Sequence, residues 1–259
     1  MSSKILSIES GFFGYKPDEA LNRNAFSGSF ELGQFWVLLG KNAEGKSTFL
    51  KTLSDQIPIL AGNLRLNGKA YRQYTSLEKA RWISLMDTSH FQVPYLSVRE
   101  LIQMGRYPYL NFWGKYSRQD RDFANQVIHW LGIQSLSEKL LNNCSDGERQ
   151  LVLLARALVQ DTPILFLDEA TAHLDFSNRL KTFKLVQQLA KEKKKLILMA
   201  THELEMALNL ADWFLLFESN EIQSYHRQDL IKKQLMINFL GQKTTFFYDR
   251  SLDKFSYKV

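Results

Sequence analysis

Four short runs of consecutive apolar residues, each bounded by turn-forming residues, recur along the chain. They are residues 35–39 (FWVLL), 164–167 (ILFL), 196–200 (LILMA) and 213–217 (WFLLF). A run that is apolar at every position is typical of a strand buried on both faces of a sheet. The pattern therefore predicts four buried strands.

Amphipathic helical patterns separate these runs and cover residues 46–56, 120–131, 147–160 and 179–191. Strands that alternate with helices predict an α/β fold with a parallel sheet covered on both faces. Residues from about 80 to 150 carry no strand pattern of comparable quality. We therefore expect a helical lobe inserted into the sheet domain.

The bulk composition narrows the class of protein. A chain of 259 residues that is 45% hydrophobic can form one large domain or two closely packed lobes. It has no apolar run near the roughly 18 to 20 residues that span a bilayer, and no signal-peptide core at its start. The single cysteine, Cys144, offers neither an internal disulfide nor a zinc cluster. We expect a cytoplasmic protein whose metal, if any, is held by oxygen atoms.

The net charge of +6 does not select a partner. A pI near 9.2 suits nucleic acid and the anionic cytoplasmic face of a membrane equally well.

The stretch GKNAEGKST matches the phosphate-loop pattern, in which two glycines separated by four residues precede Lys and Ser/Thr. A predicted strand leads into it and a predicted helix follows, so backbone amides and the positive helix end converge on one point. We expect Lys46 to neutralise the β and γ phosphates and the Ser47 hydroxyl to ligate Mg²⁺. The predicted nucleotide-binding residues of the loop are Gly40, Lys41, Asn42, Ala43, Glu44, Gly45, Lys46, Ser47 and Thr48.

The run PILFLDEA ends an apolar strand on two acids. Asp168 is the expected magnesium ligand, and Glu169 is expected to orient and polarise a water molecule for attack on the γ phosphate. Neighbouring side chains of a continuing strand point to opposite faces. The two carboxylates can therefore share one site only if the strand ends there.

A third element, CSDGERQLVLLARALV, places a Ser/Asp cap before an amphipathic helix. In chain order, the phosphate loop is followed by SDGERQ, the Asp-Glu strand end, AHLD and THE. This order resembles the ATP-binding subunit of an ABC transporter, up to about residue 225.

The resemblance implies an α/β P-loop NTPase fold with three parts. A mainly parallel core sheet would come from about 1–80 and 160–225, together with an N-terminal antiparallel β subdomain. A helical signature subdomain would be inserted over about 81–159, and a C-terminal extension over 226–259 would complete a single domain.

In that family two subunits bind head to tail, with each ATP between one phosphate loop and the other subunit's signature motif. Ser145 and the amide of Gly147 would then contact the partner's γ phosphate. His202 matches the switch histidine that contacts the γ phosphate, and Asp175 matches the loop that couples the two sites.

Tyr15, in GFFGYKP, matches the aromatic residue that stacks on adenine, with Phe12 and Phe13 as alternatives. The segment SVRELIQMGRYPY resembles the branch that energises import of ferric siderophores, haem or cobalamin. The following NFW, residues 111–113, forms either part of a surface for the permease's coupling helix or only a local aromatic cluster.

Three positions depart from the family pattern. Ala43 stands where a glycine is usual, which we expect to be a mild change because a β carbon is costly only at positive φ. Asp146 replaces the first signature glycine, and its carboxylate is expected to weaken the composite site. Thr88 aligns with the glutamine that normally ligates magnesium, and Gln92 is the nearby alternative.

The resemblance thus implies an ATPase that uses ATP and Mg²⁺ to energise an ABC importer. It would act as a homodimer, peripheral on the cytoplasmic face of the membrane. Its partners would be an integral membrane permease and, indirectly, an external substrate-binding protein, with no nucleic acid. The alternative is a soluble ABC-type ATPase, or a weakly hydrolysing nucleotide-sensing subunit, without a permease.

Overall fold

The computed structural model describes residues 4–87, 95–233, 245–249 and 254–258. The strands are β1 (Lys4–Phe12), β2 (Phe26–Glu31), β3 (Phe35–Gly40), β4 (Ala61–Leu66), β5 (Lys69–Ala70), β6 (Ile83–Met86), β7 (Ile164–Asp168), β8 (Leu196–Ala200), β9 (Trp213–Glu218), β10 (Glu221–His226), β11 (Thr245–Asp249) and β12 (Lys254–Lys258). The α-helices are α1 (Lys46–Leu53), α2 (Ser76–Trp82), α3 (Val98–Gln103), α4 (Arg118–Trp130), α5 (Asp146–Val159), α6 (Phe176–Lys191), α7 (Leu204–Leu210) and α8 (Arg227–Lys233).

The central sheet has six strands in the order β10-β9-β3-β8-β7-β6. All neighbouring pairs from β9 to β6 are parallel, and β10 pairs antiparallel with β9 at one edge. The four predicted buried strands are confirmed as β3, β7, β8 and β9. They lie next to one another at the centre of the sheet.

Successive residues of β3 face two different cores, which explains why the strand is apolar at every position. Phe35, Val37 and Leu39 pack with the residues of α3 to α7 on one face. Trp36 and Leu38 pack on the other face with α1 and the first antiparallel strands. The central sheet is therefore the middle layer of the fold.

A second, four-stranded sheet in the order β2-β1-β4-β5 covers the face that carries α1. Its pairs are antiparallel, and β1 is the strand that holds β2 and β4 together. The antiparallel N-terminal β subdomain expected from the resemblance is thus confirmed.

The four predicted helices are confirmed as α1, α4, α5 and α6, with shifts at their ends. The side chains of Ser117, Ser145 and Asp175 accept hydrogen bonds from backbone amides three residues later and so cap α4, α5 and α6. Two of these helices consequently begin two or three residues earlier than the apolar pattern alone indicates.

One strand lies where none was expected. Residues 83–86 form β6, which pairs in parallel with β7 at the edge of the central sheet. The segment is short, and it includes the buried polar residue Ser84, whose hydroxyl donates to Ala157 O at 2.9 Å. The helical lobe therefore starts after this strand, a few residues later than the start near residue 80 that the sequence pattern indicated.

The chain continues past the central sheet. A hairpin of β11 and β12 follows α8. Within the described residues, no helix is both long and apolar enough to cross a bilayer.

Candidate nucleotide-binding and catalytic site

The phosphate loop connects the end of β3 to the start of α1, so its position follows from the central strand of the sheet. A β carbon on Gly40 would lie 2.8 Å from Phe217 O, and one on Gly45 would lie 2.4 Å from the Leu21 side chain. Gly45 also has φ 92, in the left-handed region. Both glycines are therefore required by close packing, as well as by the motif.

Ala43 has φ 64, in the left-handed region. The expectation that alanine is a mild change here was wrong, because its β carbon meets the following carbonyl group in that conformation. A non-glycine residue held there stores about 1 to 2 kcal/mol of strain.

Lys46, at the start of α1, is almost completely buried. Its Nζ donates to the carbonyls of Gly40 at 2.7 Å and Lys41 at 2.8 Å, while Glu44 Oε2 accepts from the Lys41 amide at 2.7 Å. Burial lowers the pKa of Lys46, and the carboxylates of Glu169, Glu44 and Asp168 oppose that shift. The lysine is thus held over the loop as a poorly solvated cation, which suits it to an anionic ligand.

The two acids at the end of β7 converge because the strand stops between them. Asp168 is the last residue of β7, and Glu169 turns out of the strand with φ 51. The Glu169 amide donates to Ala200 O, at the end of β8, at 3.0 Å. The condition that both carboxylates need for a shared site is therefore met.

Asp168 is buried, and its Oδ1 has no hydrogen-bond partner among the described residues. Burial raises the pKa of this carboxyl, a hydrogen bond with Ser47 opposes the shift, and nearby Glu169 adds to it. Mg²⁺ prefers oxygen ligands. Here a buried carboxylate oxygen that accepts no hydrogen bond lies beside a hydroxyl group. Ser47 and Asp168 therefore fit this metal ion, whereas Thr88 and Gln92 lie outside the described residues.

His202 follows β8, the strand next to β7, and reaches the same edge of the sheet. Its Nε2 lies 3.2 Å from Glu169 Oε1, and both side chains are about half exposed. A carboxylate in contact with an imidazole and open to solvent is arranged to hold a water molecule for proton transfer.

Two contacts that the motifs did not reveal support this centre. Gln150 of α5 donates from Nε2 to Glu169 O at 2.5 Å, and Arg179 of α6 bonds Glu203 Oε1, next to His202, at 2.5 Å. Gln150 is four residues before Leu154, on the buried face of α5. The sequence did carry a signal for this contact. Gln150 is a polar residue on an otherwise apolar helix face, and a buried side-chain amide requires a hydrogen-bond partner.

The signature residues lie at the start of α5. A β carbon on Gly147 would lie 2.9 Å from His173 O, so this glycine permits close approach of the AHLD segment. Asp146 is exposed and lies 3.7 Å from Arg149 Nη1. Within the described part of the chain, no hydrogen bond or ion pair joins Ser145 to the phosphate loop.

Asp175 has a structural role in the isolated chain. Its Oδ1 accepts from the Asn178 amide at 2.8 Å and caps α6. Its predicted role in coupling two sites remains a prediction.

Tyr15 is 64% exposed, as an aromatic platform for a base requires. Phe13 is fully buried and packs edge-to-face on Phe49, with ring centroids 4.7 Å apart. Burial removes Phe13 from the alternatives and leaves Tyr15 and the partly exposed Phe12.

Comparison with known proteins agrees with this geometry. The family model described as ABC transporter matches residues 24–172. The achromobactin transport ATP-binding protein of Dickeya dadantii is 33% identical over 70% of this chain and 67% of that protein. The iron(3+)-hydroxamate import ATP-binding protein of Bacillus subtilis is 31% identical over 75% of this chain and 72% of that protein.

A solved structure shares the fold at low sequence identity. It is a dimeric ATP-binding cassette in a post-hydrolysis state bound to ADP and Pi, with a TM-score of 0.76 and 18% identity. The match covers 86% of this chain and 98% of that cassette.

Proposed function

The chain belongs to the ABC transporter family as an ATP-binding ATPase subunit, and we propose that it energises an importer of ferric chelates. The observation that carries the chemistry is the 3.2 Å contact between His202 and Glu169, beside the buried Asp168 and Lys46. The proposed cargo rests on the two relatives, whose names specify achromobactin and iron(3+)-hydroxamate. Haem and cobalamin remain alternative cargoes within the same proposal.

ATP binding is assigned to the phosphate loop and Tyr15. Lys46 neutralises the phosphates, the amides of residues 41–48 and the N-terminus of α1 surround them, and Tyr15 stacks on adenine. Ser47 and Asp168 would hold Mg²⁺, which would supply positive charge at the phosphates. The buried and unpartnered Oδ1 of Asp168 supports this assignment.

Hydrolysis is assigned to Glu169 and His202. The Glu169 carboxylate orients a water molecule and accepts its proton as the water oxygen attacks the γ phosphorus, while the bond from that phosphorus to the bridging oxygen breaks and ADP leaves. In the chain without nucleotide, His202 Nε2 donates to the Glu169 carboxylate, and with ATP bound the same N–H would be available to the γ phosphate. Gln150 holds the Glu169 backbone, so the carboxylate is positioned from two elements.

The composite site requires a second copy in head-to-tail arrangement. Ser145 and the Gly147 amide, at the N-terminus of α5, would complete the partner's γ-phosphate site. Asp175 would couple the two sites. The dimeric cassette that shares this fold supports the arrangement.

The proposed dimer drives a permease, to which an external substrate-binding protein delivers the chelate. ATP binding closes the dimer, and hydrolysis reopens it. This assignment makes the protein peripheral on the cytoplasmic face of the membrane.

The test is recovery of a tagged chain from detergent-solubilised native membranes, followed by identification of stoichiometric companions. A multi-spanning membrane protein is expected. Only soluble companions, in a preparation that recovers other membrane complexes, would contradict the importer and favour a soluble ATPase.

The cargo is tested separately by uptake of labelled ferric siderophore, haem and cobalamin in cells that lack this chain. Wild type should restore uptake of the ferric siderophore, and Glu169→Gln should not. Restored uptake of haem or cobalamin alone would reassign the cargo and leave the ATPase in place.

A weakly hydrolysing nucleotide-sensing subunit is the second candidate. The exposed Asp146 carboxylate at the start of α5 favours it, because negative charge there opposes a partner's triphosphate. Turnover near background despite tight binding of ATP with Mg²⁺ would support this candidate.

A further inference from the structure

A short turn of the helical lobe, residues 111–114, presents two large aromatic side chains to solvent. Phe112 is 95% exposed and Trp113 is 78% exposed, and their rings meet edge-to-face with centroids 5.6 Å apart. Aromatic side chains of this size are usually largely buried, and an exposed apolar pair marks an interaction surface. We call residues 111–114 the aromatic turn.

The aromatic turn is held in shape by its own hydrogen bonds. Asn111 Oδ1 accepts from the amides of Trp113 and Lys115, both at 3.0 Å, and the Gly114 amide donates to Asn111 O at 2.9 Å. Gly114 has φ 66, which glycine adopts without strain. The two rings are therefore presented outward by a closed turn.

The base of the turn is fixed to the core of the lobe. The preceding 3-10 helix, Met104–Tyr109, lies against α5, where a β carbon on Gly105 would be 2.3 Å from Arg156 O. Arg106 pairs with the buried Asp120 at 2.8 Å, and its guanidinium lies 4.0 Å from the centroid of the Tyr109 ring. The aromatic turn therefore projects from a rigid support.

Cationic residues follow the aromatic turn closely along the chain. Lys115, Arg118 and Arg121 are all exposed, and Arg118 retains 91% exposure although it lies 3.7 Å from Asp122. Trp and Phe flanked by Lys and Arg are the combination that enters the headgroup region of an anionic bilayer. The charge and the apolar surface therefore point to the same kind of partner.

We infer that the aromatic turn inserts into the headgroup region of an anionic phospholipid bilayer and binds the protein directly to lipid. A protruding pair of rings next to exposed cations suits insertion among anionic headgroups, because the rings gain apolar burial while the cations stay at the charged surface. The inference goes beyond the proposed function, because it requires neither the permease nor ATP.

The test uses the purified full chain and vesicles made of equal parts phosphatidylglycerol and phosphatidylcholine, with pure phosphatidylcholine vesicles for comparison. Binding is measured by co-sedimentation. Wild type should bind the anionic vesicles preferentially, and Phe112→Ser/Trp113→Ser should bind them at least about tenfold more weakly because the interfacial apolar surface is lost. Arg118→Gln should weaken binding by about fivefold, the effect of one interfacial cation.

Tryptophan fluorescence locates the contact within the same sample. The chain has five tryptophans, and Trp130 is a half-exposed control at the opposite end of α4. A shift of emission to shorter wavelength on adding anionic vesicles should persist in Trp130→Phe and be lost in Trp113→Phe. Lys193→Gln/Lys194→Gln, which removes charge from the loop before β8, is the control for nonspecific attraction of a basic protein.

Several outcomes would overturn the inference. They are absence of wild-type binding to anionic vesicles, unchanged binding of the folded double serine variant, or an equal loss in the Lys193/Lys194 variant. Loss of permease recovery by the double serine variant, without any vesicle binding by wild type, would assign the surface to a protein partner. ATP hydrolysis in solution should be unchanged in the double serine variant, because neither residue belongs to the nucleotide site, so failure here is distinguishable from failure of the proposed function.

Discussion

His202 Nε2 lies 3.2 Å from Glu169 Oε1, and this contact joins the carboxyl ends of the neighbouring parallel strands β8 and β7 in the central sheet. The contact places an imidazole and a carboxylate together in a site that the strand order, and not the spacing in sequence, creates.

Replacement of His202 by alanine should lower ATP turnover by about a hundredfold, because Glu169 loses the side chain that positions it. Nucleotide affinity should change little, since the phosphate loop is intact. Steady-state ATPase assays and a fluorescent-nucleotide titration separate the two effects. The matched control is His129→Ala, in the helical lobe, where His129 contacts Gln134. Equal turnover in the two variants would remove His202 from the proposed chemistry.

Asp168→Asn should stabilise the protein without ligand and weaken its response to ATP with Mg²⁺. Because the pKa of Asp168 is raised, the folded chain binds this proton more readily than the unfolded chain. Ionisation of Asp168 therefore lowers the free energy of unfolding. This loss of stability is absent below the ordinary pKa of 3.8 and complete at a pH above the raised pKa.

Removing that charge should raise the Tm by a few degrees at a pH above the raised pKa of Asp168, where the wild-type carboxyl is ionised. Thermal unfolding is measured without ligand, with ATP and EDTA, and with ATP and Mg²⁺. The additional stabilisation by Mg²⁺ should largely disappear in the variant. A full Mg²⁺ response in Asp168→Asn would contradict its assignment as a metal ligand.

Ala43→Gly should stabilise the chain, because Ala43 has φ 64 and glycine adopts that conformation freely. Relief of about 1 kcal/mol of strain corresponds to a Tm increase of about 2 to 4 °C. Ala20→Gly is the control, since Ala20 has φ −64 and gains no such relief. A lower Tm for Ala43→Gly, or the same increase in both variants, would contradict the strain.

Asp146→Asn should promote ATP-dependent dimerisation in a Glu169→Gln background. The change removes an exposed carboxylate from the start of α5, where the proposed partner triphosphate binds. The ATP concentration for half-maximal dimer formation should fall by about twofold to fivefold, and more at low salt.

The matched control is Asp122→Asn, which removes an exposed carboxylate that also lies 3.7 Å from an arginine, in α4. Light scattering at several ATP concentrations measures the dimer. Equal behaviour of the two variants would show that Asp146 carries no special weight in the composite site.

The central sheet was predictable because β3, β7, β8 and β9 each contain a run of four or five consecutive apolar residues, a consequence of burial on both faces. The short edge strand β6 was not, because four residues that include Ser84 give no clear period. Its position depends on pairing with β7, which is remote in sequence.

The candidate site was predictable where residue identity determines chemistry, as for Lys46, Asp168 and Glu169. Backbone conformation was not, and the positive φ of Ala43 reversed the expected effect of that residue. The hydrogen bonds from Gln150 to Glu169 and from Arg179 to Glu203 join helices to segments that are remote in sequence, so no local sequence pattern predicts them.

The most direct test of the account compares ATP hydrolysis by purified wild type and Glu169→Gln, with the oligomeric state followed in the same samples. Wild type should turn over ATP, whereas the variant should be slower by at least about a hundredfold and accumulate as an ATP-bound dimer. Equal turnover, with no ATP-dependent dimer of the variant, would contradict the central claim that Glu169 drives hydrolysis at a shared site.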